Sequence, residues 1–77
     1  MLNALLTSDE GIEEGAVYRR PIVGSITETA QVLGIAQDKL GIPHVRFQLR
    51  VARGLDARTE QRTLALDIFY ARYRERV

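Results

Sequence analysis

The chain has no cysteine and no tryptophan, one histidine, one lysine, one methionine and two prolines in 77 residues. Without cysteine it has no disulfide staple and no thiolate for a metal. A lone His44 rules out a histidine cluster. Any nucleophile–histidine pair would need His44 as base, and Ser8, Ser25 and the threonines stand in no supporting motif. Gly24, Gly34 and Gly41 are spread over strands and turns, so no glycine loop is built to cradle phosphate. These absences point away from an enzyme and from a bound cofactor or metal. No apolar run approaches the roughly 18 residues of a membrane span. The start, Met1-Leu2-Asn3-Ala4-Leu5-Leu6, is apolar but lacks the basic opening and small-residue cleavage pattern of a signal peptide. The expected compartment is the cytoplasm.

A chain this short is one domain that buries only roughly 60–65% of the surface it exposes unfolded. Its net charge of +1 hides an asymmetry. Residues 1–18 hold Asp9, Glu10, Glu13 and Glu14 and no base, a net charge of −4. Residues 19–77 hold eleven basic and six acidic groups, a net charge of +5. Ten of the basic residues are arginine, whose planar fork suits phosphate and carboxylate. A general preference of the source for arginine over lysine accounts for the count equally well.

Residues 1–14 show no sustained period and read as a flexible lead-in, with Leu2, Leu5 and Leu6 able to form one docked turn. Residues 15–77 then form the domain. Val17, Tyr18, Ile22 and Val23 favour a strand that Pro21 confines to an edge or breaks, and Gly24 permits a bend. Residues 27–37 read as a second strand. Asp38-Lys39-Leu40-Gly41 reads as a type I turn with a glycine bulge, leading into a strand that begins near Pro43. This register sets Ile35 opposite Val45 and Leu33 opposite Phe47 on one face. On the other it sets Ala36 opposite His44, Gly34 opposite Arg46, Val32 opposite Gln48 and Ala30 opposite Arg50. The match degrades further out, where Gln31 meets Leu49, and Gly34 is a candidate bulge.

Residues 52–61 read as a polar connection, with Gly54 and Asp56 as turn residues. Beyond it, apolar positions surround the axis of any single helix over 57–76. A split at Asp67 works better. Leu64 and Leu66 then alternate inward on a short strand, and Asp67 caps a helix with Phe69, Tyr70, Tyr73 and Val77 on one side. Arg72, Arg74 and Arg76 fall late in it, against its dipole, while Ile68 is left unplaced. The expected fold is mainly β: a small curled antiparallel sheet or SH3-like barrel of about four strands with a short C-terminal helix. The alternative is a three-stranded sheet crossed by one long helix.

VYRR at 17–20, GIPHVRF at 41–47 and RTLAL at 62–66 followed by Phe69 and Arg72-Tyr73 come in an order that resembles a family of short single-domain bacterial proteins without an assigned function. The resemblance covers 17–74. It implies a free-standing small domain and carries no catalytic residue.

The candidate contact face is Arg46, Gln48 and Arg50, alternating with Val45, Phe47, Leu49 and Val51 at about 7 Å intervals. His44 opens the same face as a proton carrier, a stacking group or simply a solvated residue. Arginine with glutamine is a common nucleic-acid contact set, but no aromatic is interleaved for stacking. Glu28, diagonal to Arg50, is a possible ion-pair partner that would make this a solvated face. Tyr18, Arg19 and Arg20, with Arg72, Tyr73, Arg74 and Arg76, form a second basic-aromatic set if the two ends of the domain meet. The alternative is that the tyrosines bury their rings at the core rim, with Glu75 offsetting the charge. The leading functional expectation is a non-enzymatic binding or adaptor module. Its partner is a protein, or a second copy joined through a sheet edge. The alternatives are a nucleic-acid-binding domain using the arginine face and a small regulatory subunit of an enzyme.

Overall fold

The computed structural model describes residues 12–20 and 24–77. It contains five antiparallel strands in one open sheet and one short helix. The strands are β1 (Val17–Arg19), β2 (Ile26–Gln37), β3 (Pro43–Arg53), β4 (Asp56–Ala65) and β5 (Glu75–Arg76), and helix α1 (Leu66–Arg72) precedes β5. Their order across the sheet is β4-β3-β2-β1-β5. The open-sheet form of the expected fold is therefore the one adopted. Closure into a barrel would turn one whole face of β4 inward, and that face carries Asp56, Arg58, Glu60 and Arg62. The possible turn at Leu2–Leu6 and the strand break at Pro21-Ile22-Val23 lie outside the described residues.

The β2–β3 turn follows from its residues. Gly41 takes φ of 82°, a region open to glycine at no steric cost. Its N–H donates to the Asp38 carbonyl (3.0 Å), and the Asp38 N–H donates to the Ile42 carbonyl (3.0 Å). The Asp38 carboxylate accepts from the amides of Leu40 (2.8 Å) and Ile42 (2.9 Å). These bonds, that of Ile42 foremost, hold its carboxyl below the ordinary aspartate range, with the Gly41 amide and nearby His44 adding and partial desolvation opposing.

From this turn the pairing runs as the sequence predicts as far as Gly34 opposite Arg46. There it shifts: Val32, not Leu33, stands opposite Phe47. Leu33 is the extra residue of a β-bulge, 36% exposed. The bulge repairs the mismatch that an unbroken ladder would carry. Ala30 now meets Leu49, while Thr29 meets Arg50 and Gln31 meets Gln48. Val32, Val45, Phe47, Leu49 and Ala30 are all buried on the inner face, so apolar matching outweighs ladder regularity.

Residues 52–61 are not a polar connection. β3 continues to Arg53, the chain reverses over Gly54-Leu55, and β4 starts at Asp56 opposite Arg53. Gly54 has φ of 59° and Leu55 does not, the pattern of a two-residue type II′ hairpin turn. The polar composition of 56–63 reflects an exposed edge strand rather than a loop.

The helix begins one residue earlier than Asp67, with Ala65 as its N-cap and no side-chain cap. Leu66, Phe69 and Tyr73 are buried, at the spacing of one helical face. Tyr70 and Val77 do not share it. Tyr70 is turned about 100° round the axis from Phe69 and is exposed, and Val77 is beyond the helix. The helix ends at Arg72, which faces its dipole. Arg74 and Arg76 follow it, and the chain returns as β5 against β1, pairing Tyr18 with Arg76 and Arg19 with Glu75.

Four of the five aromatics form the centre of the core. Phe69 stands edge-on to Tyr18 (centroids 5.9 Å) and Phe47 (5.0 Å), and is 5.0 Å from Tyr73. Ile12 is also buried here, so residues 12–14 of the expected lead-in sit against the sheet. Gly15 N–H donates to the Val32 carbonyl (2.8 Å), and Val32 N–H to the Ala16 carbonyl (2.9 Å).

Candidate functional site

Cross-strand partners in an antiparallel sheet share a face. The outer face of the three long strands is therefore legible from the register. β3 presents His44, Arg46, Gln48, Arg50 and Ala52. β2 presents Thr27, Thr29, Gln31, Gly34 and Ala36, and β4 presents Ala57, Thr59, Gln61 and Thr63. None of these positions is acidic. Arg46, Gln48 and Arg50 form its central exposed row, as their alternation with buried Val45, Phe47 and Leu49 predicts.

The residues beneath that row differ from expectation. Only Gly34 leaves bare backbone. The Arg46 guanidinium lies 3.5 Å from the place a Gly34 Cβ would occupy, and a Glu14 carboxylate oxygen 4.0 Å from it. Gln48 and Arg50 stand beside Gln31 and Thr29, not Val32 and Ala30, because of the bulge. The same shift turns Glu28 to the inner face, opposite Val51 and away from Arg50. Glu28 there accepts from Arg20 (3.5 Å) and from the Tyr73 hydroxyl (3.3 Å). Among the described residues neither Arg46 nor Arg50 has an ion-pair partner.

His44 sits at one end of the row. Its Nδ1 is 3.0 Å from the Ile42 carbonyl and 3.8 Å from an Asp38 carboxylate oxygen. With Glu14, Leu33, Gly34 and Arg46 it lines a shallow recess of about 370 Å³ beside the bulge.

The second basic-aromatic set does come together through the β1–β5 pairing, but three of its five arginines, Arg19, Arg20 and Arg76, face carboxylates. Arg19, on the outer face, pairs with Glu75 (2.9 Å). Arg20 faces Glu28, and Arg76 pairs with Glu13 (2.8 Å) while lying 6.0 Å over the Tyr18 ring. Tyr18 is on the inner face and 3% exposed, its hydroxyl accepting from the Glu13 amide (3.0 Å). Tyr18 and Arg20 thus stand apart from Arg46, Gln48 and Arg50. Tyr73 is buried beside Glu28, and desolvation with the neighbouring carboxylate raises its hydroxyl above the ordinary tyrosine value.

Sequence reasoning misses β4 as a flank of this face. Thr59, Gln61 and Thr63 alternate with Arg58, Glu60 and Arg62, a period-two signal that a count of polar residues hides. Among the described residues no group of three or more histidine, cysteine, aspartate or glutamate side chains is placed to hold a metal ion, and no helix is long and apolar enough to cross a membrane. Comparison with protein-family models, curated proteins and solved structures finds no match for this chain.

Proposed function

We propose that this protein is a small non-enzymatic binding module whose outer sheet face receives an extended polyanion, a single nucleic-acid strand, laid along β3. The observation that carries this reading is the release of Arg50. With Glu28 turned to the other side of the sheet, Arg46 and Arg50 are two exposed cations, about 13 Å apart along β3, and β2, β3 and β4 offer that face no carboxylate, Glu14 standing near its Arg46 end. Gln48 between them, and Thr29, Gln31, Thr59 and Gln61 beside them, supply neutral donors and acceptors of the kind that contact phosphate and sugar. All aromatics but Tyr70 are committed to the core, so base stacking contributes nothing here and binding is governed by the backbone charge. The expected behaviour is weak, sequence-tolerant and salt-dependent binding.

Fluorescence anisotropy of a labelled single-stranded oligonucleotide, titrated at several salt concentrations, tests this. Each phosphate contact on a single strand contributes about −0.7 to the slope of log K against log salt. Arg46→Ala with Arg50→Ala is expected to abolish low-salt binding or flatten that slope by about 1.4. An absence of binding at low salt, or binding that ignores both substitutions, overturns the reading. Capture of a protein partner that resists nuclease and depends on the same two arginines would instead assign the face to a protein.

A further inference from the structure

The sheet has two unequal edges. One is β5, two residues long; the other is β4, ten residues long, with nothing beyond it in the sheet among the described residues. An edge strand exposes a row of unpaired N–H and C=O groups that template pairing with another strand. Which residues carry that row follows from the turn. A two-residue hairpin makes Arg53 and Asp56 its first hydrogen-bonded pair. The amides of 58, 60, 62 and 64 therefore also point toward β3, and those of 57, 59, 61, 63 and 65 toward the open edge.

Charge on an edge ordinarily guards it. Here the charges alternate in sign along one face: Asp56, Arg58, Glu60, Arg62. The consequence depends on register. Two copies of β4 meeting antiparallel across a two-fold axis at Glu60 would set Glu60 on itself and Arg58 on Arg62. An axis at Arg58 would set Arg58 on itself and Asp56 on Glu60. An axis at Gln61 satisfies only Glu60 with Arg62. An axis at Thr59 places Arg58 opposite Glu60 and Asp56 opposite Arg62, each twice, so that four complementary pairs fill the interface and no like charges meet. The same axis faces the open amides of 57, 59 and 61 with those of 61, 59 and 57, for about six main-chain hydrogen bonds. It also brings Leu55, fully exposed at the hairpin tip, alongside Thr63 and Leu64 of the second copy.

We infer that the chain forms a two-fold dimer by pairing β4 with β4 about Thr59, making one continuous ten-stranded sheet. The occupant of this edge is a second copy because the register about Thr59 pairs all four charges of the edge with opposite charges of the same edge. Nothing in this requires the outer face to bind nucleic acid.

Sedimentation equilibrium of the full chain, with two variants, tests it. Arg58→Glu sets glutamates opposite each other at the 58–60 contacts, and Glu60→Arg sets arginines there. Each alone is expected to sediment as a monomer at concentrations where the unaltered chain is a dimer. In an equimolar mixture of the two variants all four contacts regain opposite charges, and the dimer is expected to return. Circular dichroism of each variant, matching that of the unaltered chain, checks that both fold. A chain that is monomeric at 200 µM overturns the proposal, as does a dimer that survives both substitutions or a mixture that stays monomeric. Persistence of the dimer in Arg58→Glu alone would place the axis at Gln61 and overturn the register.

Discussion

At the scale of single residues, Glu28 carries more of the protein's design than its place in the sequence suggests. One position of register separates a carboxylate that quenches Arg50 from one that binds Arg20 and the Tyr73 hydroxyl. The second arrangement has a pH signature. The Tyr73 hydroxyl is held protonated by burial first and by Glu28 second, so it ionises above its ordinary value of 10.0. Above pH 10 the unfolded chain gives up this proton while the folded chain keeps it. The stability it confers is therefore complete below pH 10 and is lost as pH rises through the folded value. Tyr73→Phe is expected to cost about 1 kcal/mol at neutral pH, the worth of one hydrogen bond, and to flatten the alkaline decline. Chemical denaturation at pH 7 and above pH 10 measures both, and an alkaline decline as steep in the variant would show that Tyr73 is not its source. Asp38 has the opposite sign. Its lowered carboxyl supports the turn at neutral pH, and that support goes as the group protonates below the ordinary aspartate value of 3.8.

At the scale of elements, the β2–β3 hairpin was legible at its turn and illegible at its middle. Asp38 and Gly41 encode the loop type through a side-chain acceptor and a left-handed glycine, both local facts. Leu33 encodes nothing locally. It leaves the ladder because Val32 and Ala30 gain Phe47 and Leu49 as partners, a comparison between strands that no window on one strand contains. The same holds for β4, whose polar residues mark an exposed edge strand rather than a loop, and for Tyr70, whose aromatic character promised a burial its angular position does not give. The Arg46-Gln48-Arg50 row was legible because strict alternation in β3 needs no knowledge of the partner strand. The freedom of Arg50 was not, since it depends on the bulge. If the bulge serves only to re-phase the strand, removing Leu33 should leave a regular ladder with the same pairs. Deletion of Leu33 is thus expected to cost only about 1 kcal/mol and to preserve cooperative thermal unfolding. Loss of the folded spectrum would show that the extra residue is needed for more than phase.

At the scale of the whole molecule, the long strands outrun their cover. The chain extends 45 Å along its longest axis, close to the length of twelve strand residues, with a radius of gyration of 13.4 Å against about 11.5 Å for a compact domain of this length. Helix α1 lies over β3 and β4 where Val45, Phe47 and Leu49 are buried. Beyond Glu28 and Val51 the three strands project without it, around a groove lined by Ile26, Val51, Arg53 and Arg58. Local opening costs least where few apolar contacts are lost. Amide hydrogen exchange is therefore expected to be fast at Ile26–Glu28 and Val51–Arg58 and slow at Ala30–Val32 and Val45–Leu49. Uniform protection along β3 would contradict this division.

The sequential order β2, β3, β4 and then α1 also has a consequence in time. The three long strands are successive hairpins, each able to pair as soon as the chain doubles back, whereas the rings that seal their apolar row, Phe69 and Tyr73, come after all three. During synthesis the nascent meander carries Val45, Phe47 and Leu49 uncovered until the helix emerges, an interval in which it is a surface for chaperones or for other nascent chains.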